Sequence, residues 1–193
     1  HDADAHTMEL PNWYEEFGTK RVQDAFKERF KGNKGLAHTY FDDIEEVHKK
    51  SSYQDQNEKD LMVRKNYDAL GSFNKSDRSE ALDLLGVKTQ LVFPTSPNVW
   101  LESLEHSDEL DLLYEVASAT NRTQIDFCSE DKRLFPVAYV PLANLEKANE
   151  TAKEALQMGA KALLIPWACP KRHATSHVEL DKVWAQAQEA GVP

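Results

Sequence analysis

Cysteine is scarce in this chain. Two thiols, Cys128 and Cys169, stand among 193 residues, and neither belongs to a C-x-x-C pair. That excludes a disulfide framework. Both thiols read as small buried apolar groups, and a reducing, cytoplasmic setting fits best. No apolar run approaches the length needed to span a bilayer. Basic charge is short: 23 Lys and Arg face 33 Asp and Glu, for a formal net charge of −10. A nucleic acid or an anionic membrane surface is therefore not the expected partner. There is no glycine-rich phosphate loop and no G-x-S-x-G elbow. An initial methionine is missing too. The chain opens at His1, already inside its first candidate strand, so the lack of a signal peptide says little about location.

What is present is an ordinary soluble profile, 40% apolar and 29% charged, long enough for one domain with a real core. The opening run His1-Asp2-Ala3-Asp4-Ala5-His6 organises the reading. If it is extended, Asp4 and His6 lie two apart and point to one face. A carboxylate and an imidazole side by side suit a divalent metal such as zinc. The competing reading is a solvated tail carrying two polar residues.

Pro11 ends that strand. From Asn12 the pattern turns helical, with Trp13 and Phe17 four apart and Val22, Ala25, Phe26 and Phe30 following at helical spacing; Gly32 and Gly35 close the segment. Residues 42–75 read as a polar surface insert with short helical turns and scattered aromatics. Asp77, with Glu80 three later, marks a helix start; Ala81, Leu82, Leu84 and Leu85 form its stripe, and Gly86 ends it. A strand over 87–93 follows, then a loop at Pro94-Thr95-Ser96-Pro97. Ser107 caps a helix with the stripe Leu110, Leu113, Tyr114 and Ala117, reaching towards Cys128. The next strand spans 134–142, its Pro136 and Pro141 suiting strand ends. Asn144 caps a helix ended by Gly159, and Ala162-Leu163-Leu164-Ile165 forms an apolar strand suited to a parallel sheet covered on both sides. Ser176 to Glu179 reads as a capping box for a last helix that Gly191 closes.

Helix, glycine, apolar strand therefore recurs, at Gly86, at Gly159 and, just beginning, at Gly191. This is βα alternation with short connections. Four strand–helix units can be counted, with a fifth strand beginning at Val192, about half of an eight-unit barrel.

The residues Asp2-Ala3-Asp4-Ala5-His6 with Met8-Glu9, Leu85-Gly86-Val87 leading to Val92-Phe93-Pro94-Thr95, and Met158 through Pro166 resemble the amidohydrolase superfamily. The branch they are most similar to holds aminocarboxymuconate-semialdehyde decarboxylase and gamma-resorcylate decarboxylase. Lys132 to Phe135, Val140-Pro141-Leu142, Ser176-His177, Leu180-Asp181, Trp184 and Gly191-Val192-Pro193 extend the likeness along the chain, the polar insert excepted. The resemblance implies an α/β fold, a metal-dependent (β/α)8 barrel of which residues 1–193 make one incomplete domain. It implies Asp4 and His6 as the first two ligands of a divalent ion, zinc with manganese as the alternative. The family's further ligands and catalytic residues would lie beyond Pro193. The implied activity is hydrolysis or decarboxylation of a small carboxylated, aromatic or cyclic substrate by the full protein, with little by this chain alone. A non-catalytic half-barrel that binds or assembles with another copy is the second reading.

Three residues are pocket candidates. Glu9 either orients a ligand, faces substrate or is a plain surface carboxylate. Trp167, at the end of the fourth strand, either stacks on a planar substrate or packs under the following loop. Arg172, with His173, either meets a substrate carboxylate or is a solvated loop charge. His177 reads as a first-turn helix residue, and His38, His48 and His106 show no ligand spacing.

Overall fold

Four parallel strands, β1 (Asp2–His6), β2 (Gln90–Phe93), β3 (Leu134–Tyr139) and β4 (Ala162–Leu164), lie side by side in chain order in the computed structural model. It describes residues 1–29 and 38–193, the side chains of 38–42 excepted. The sequence-based expectations at Phe30, Gly32 and Gly35 lie outside the described residues. An order that never reverses is compatible with part of a (β/α)8 barrel and differs from a doubly wound sheet with its switch point. The fold is α/β with a parallel sheet.

The helices are α1 (Trp13–Phe17), α2 (Lys20–Arg29), α3 (His38–His48), α4 (Ser51–Gln54), α5 (Asn57–Asp60), α6 (Lys75–Leu85), α7 (Ser96–Glu105), α8 (Leu110–Cys128), α9 (Leu145–Met158) and α10 (Asp181–Ala190). Ala5, Val92 and Leu134 from three strands pack against Leu82 of α6 and Phe127 and Cys128 of α8. Ala138 meets Ala155 of α9, where three fully buried alanines, 148, 152 and 155, let helix and sheet approach closely. No helix among the described residues is long and apolar enough to cross a membrane.

The helix-to-strand junctions share one device. Gly86 adopts φ 65°, a left-handed conformation that costs other residues. Its N–H donates to Asp83 O, and the Val87 N–H donates to Leu82 O at 3.0 Å. The same pair of bonds recurs at Gly159 and at Gly191. This explains why β2 starts at Gln90 and not at 87: Val87 belongs to the helix cap. After Gly191 the chain returns to the sheet, and the Leu163 N–H donates to Pro193 O at 3.0 Å.

Several expectations are corrected. Asn74, not Asp77, caps α6, its side chain accepting from the Ser76 N–H. Leu84 and Leu85 are exposed, and the buried face of α6 is Arg78, Ala81 and Leu82. Pro94 to Pro97 is no simple loop, for α7 begins at Ser96 with Pro97 in its first turn, where a missing N–H costs nothing. Pro136 lies inside β3, paired with Val92 on one side. Its carbonyl accepts from Lys161 on the other, just before β4 begins, so its missing N–H faces no ladder partner. His177, not Ser176, caps the 3-10 turn Val178–Leu180 that leads into α10; its Nδ1 accepts from the Glu179 N–H at 3.2 Å. Cys128 is buried but Cys169 is exposed.

The polar insert is not simply solvated. His48 is buried, stacks on Tyr53, and its Nε2 meets Tyr67 O at 2.9 Å. Arg64 lies over the Tyr53 ring, while Tyr53 packs with Leu70 and Ala81. The segment is tied to β1 by the bond from Met8 N–H to Ser72 O at 2.8 Å.

Gly71 closes this segment at φ 68°, and a Cβ there would sit 2.6 Å from Arg78 Cα. The buried Arg78 guanidinium donates to Gly71 O and to Gln90 Oε1, both at 2.9 Å. Gly71→Ala is expected to cost about 3 kcal/mol, from backbone strain and the forced separation from α6. Urea unfolding measures it; a loss within experimental error would contradict this close approach.

Candidate active site at the end of the first strand

The two-residue period of β1 sorts its side chains. Ala5 is buried against the helix layer. Asp4 and His6 therefore turn to the opposite face, their side chains 93% and 40% exposed. His6 Nε2 lies 3.5 Å from Asp4 Oδ1. On its other side, His6 Nδ1 lies 3.0 Å from Thr95 Oγ1, just past the end of β2. The imidazole ring rests 5.6 Å from that of Phe93, its neighbour across the ladder. If Nδ1–H is given to Thr95, the Nε2 lone pair and the Asp4 carboxylate converge as two donors. Such a pair suits a cation, and a ligating histidine is commonly oriented by a partner on its other nitrogen. Among the described residues, no group of three or more His, Cys, Asp or Glu is placed to hold a metal. The pair thus fits part of a metal's donor set.

β1 is itself irregular. Its register against β2 shifts between Asp2 and Ala5, and the Asp4 N–H donates to Asp2 Oδ1 at 3.0 Å. Such a shift re-aims side chains at a strand end.

Glu9 is neither a surface carboxylate nor turned to the Asp4–His6 pair. It is buried, and its carboxylate accepts from the Thr95 N–H at 3.0 Å, the Ser96 N–H at 2.8 Å and the Thr7 hydroxyl at 2.9 Å. It therefore caps α7, where the helix dipole favours negative charge. Burial pushes its pKa up, and the amide hydrogen bonds pull against that shift. Thr95 joins the two features, its amide donating to Glu9 and its hydroxyl oxygen meeting His6 Nδ1 at 3.0 Å.

The other candidates stand apart. Trp167 is 86% exposed and does not pack under the loop that follows it. Arg172 Nη2 lies 3.4 Å from Asp108 beside the Lys171–Asp108 pair, an exposed ion cluster worth little. His106 joins the α7 terminus to the loop after β4, with Nε2 3.2 Å from Cys169 O. A cleft of about 390 Å³ lies between α1, α3, α6 and α8; Glu9, Trp13, His48 and Phe127 line it, and neither Asp4 nor His6 does. Sequence reasoning missed Thr95, whose only signal was its place after a strand and before a proline-bearing helix start.

Glu9→Ala is expected to leave the Thr95 and Ser96 amides without their acceptor, while the Thr7 hydroxyl keeps Phe93 O and Gln124 Oε1, and to cost on the order of 2 kcal/mol. Urea denaturation of the variant reads this directly. A cost below about 1 kcal/mol would show that the cap is dispensable.

No family model matches the chain. No curated protein matches it either. Among solved structures it is similar in fold to an amidohydrolase from Mycobacterium avium subsp. paratuberculosis K-10, with a TM-score of 0.65 at 18% identity. The likeness covers 100% of this chain and 56% of that one, so the chain spans little more than half the length of that amidohydrolase.

Proposed function

We propose that this sheet is one side of a metal-dependent amidohydrolase barrel in which Asp4 and His6 hold a divalent ion, zinc or manganese. The reading rests on one observation: the two side chains meet, 3.5 Å apart, on the sheet face turned away from the helices. The fold likeness to an amidohydrolase supports it. Bound there, the ion would lower the pKa of a water or polarise a carbonyl or carboxylate oxygen. The full protein would hydrolyse or decarboxylate a small carboxylated, aromatic or cyclic substrate. Thr95 fixes the imidazole so that Nε2 faces Asp4, and Phe93 supplies an apolar wall beside it. The net charge of −10 favours a small molecule over a nucleic acid.

The alternative, a half-barrel that only pairs with another copy, would use the edge of the sheet beside β4, where a fifth strand would stand. On that edge the Leu163 N–H already donates to Pro193 O at 3.0 Å, which leaves less of it open to a second copy.

Two donors bind an ion weakly, so the chain is expected to take up zinc with low affinity. His6→Ala and Asp4→Asn should each abolish that uptake, and Thr95→Val should weaken it about 10-fold. Competition against a chromogenic chelator measures all three. Zinc affinity unchanged in both ligand variants would end the metal reading.

A further inference from the structure

The helix α7 is pinned at both ends by carboxylates. At its start stands Glu9. At its end Glu105, 1% exposed, turns inward, and its Oε1 accepts from the Leu142 N–H at 3.0 Å, just past β3. Its other oxygen has no hydrogen-bond partner. One turn earlier on the same face is Glu102, whose Oε2 is also buried and unpartnered. Facing both is the buried Tyr139 hydroxyl at the end of β3, which interacts with the Glu102 side chain. Two carboxylates and a phenol in one buried place, with the second oxygen of Glu105 unpartnered, are costly unless a proton is shared there.

The groups around Glu105 can be named by element. From its own helix come Glu102, and just beyond the helix His106; from β3, Tyr139; from α8, Tyr114; from the loop after β3, the amides of Leu142 and Ala143. Neither lysine nor arginine is among them. Two carboxylates thus face each other across a phenol, with the His106 imidazole at the helix end beside them.

We infer that Glu105 is a proton-operated latch: with its proton on, it holds the end of α7 against the exit of β3; with its proton off, it loosens that end. The geometry makes this favourable. A neutral carboxyl accepts from the Leu142 amide through one oxygen and offers its O–H towards Glu102 with the other. An ionised carboxylate would face the Glu102 charge in a site that excludes water. Burial first, and the Glu102 charge after the Leu142 amide, leave the Glu105 carboxyl at about 7. The Tyr139 phenol is pushed far up by burial and by both carboxylates, so it remains a proton donor throughout. The inference uses no candidate metal ligand, so it stands or falls separately from the proposed activity.

The sign follows from linkage. The ordinary value of 4.5 applies when unfolded and about 7 when folded, so the folded chain holds the extra proton in between. Stability from this group is full below the unfolded value. It falls as pH rises through that window and levels off above about 7.

The test uses the whole 193-residue chain. First, carbon-detected NMR of the glutamate carboxyls in the unsubstituted protein should show a titration near neutral pH that is missing in Glu105→Gln. Second, the unfolding constant of the unsubstituted chain should rise on the order of 100-fold relative to Glu105→Gln between pH 5 and 8. Third, hydrogen exchange at the Leu142 and Ala143 amides, corrected for intrinsic rates, should speed up across the same range, and only when Glu105 is present. The first and third measurements on the unsubstituted chain need no folded variant. All glutamates titrating below pH 5.5, or the same pH slope in both proteins, would overturn the latch.

Discussion

The Glu9 carboxylate, buried on the first amides of α7, is the contact on which the candidate site depends. A carboxylate leaves water at considerable cost, and here backbone N–H groups and a threonine hydroxyl replace that water. The result is a fixed link from the exit of β1 to the exit of β2. Thr95 sits inside this link, and the hydroxyl that meets His6 is carried by the residue whose amide meets Glu9. A loop free to move would leave His6 unoriented. The order of cause therefore runs from a helix cap to an imidazole, and from there to the pairing with Asp4.

A second link supports the first from the helix side. Gln124 of α8 donates to Val92 O at 2.8 Å, and its side-chain oxygen lies 3.0 Å from the Thr7 hydroxyl. The strand ends of β1 and β2 are thus tied to the long outer helix by buried polar bonds as well as by apolar packing. Each such bond contributes modestly, but leaving any one unmade would be costly, and this selects one register over its neighbours. The segment that packs His48 and Arg64 around Tyr53 closes the same corner from outside, through Tyr67, whose hydroxyl donates to Glu9 O at 3.2 Å.

What the sequence made legible was local. Alternation placed β1 at residues 2–6, because a two-residue period needs no knowledge of the rest of the fold. Asn144 was readable as a cap, and Gly86, Gly159 and Gly191 as helix ends, since those roles are written in backbone geometry within five residues. Non-local roles were hidden. Glu9 reads as a ligand-orienting, substrate-facing or surface carboxylate until α7 arrives 87 positions later to need a cap. The α7 stripe of Trp100, Leu101 and Leu104 was present but masked by the two prolines that precede it. Glu105 carries no local pattern that sets it apart from an ordinary helix-surface carboxylate. Cys169 and Trp167 show the converse, apolar residues left in solvent in the loop after β4, where periodicity has nothing to report.

The register of the sheet constrains where a complete metal site would find its other donors. His6 pairs with Phe93, and Val92 pairs with Pro136, so Val137 stands one step on, level with Phe93. Val137 in turn pairs with Ala162. The row that carries His6 across the four strands is therefore histidine, phenylalanine, valine, alanine. Three of the four positions offer no ligand atom, and two rungs on the row is Tyr139 and Leu164. Tyr139 is engaged with the carboxylates of α7. Further donors to an ion at Asp4 and His6 must therefore come from outside these four strands. One strand can aim two ligands at a point, because its period fixes their direction. It cannot surround that point, because surrounding requires donors that approach from other azimuths.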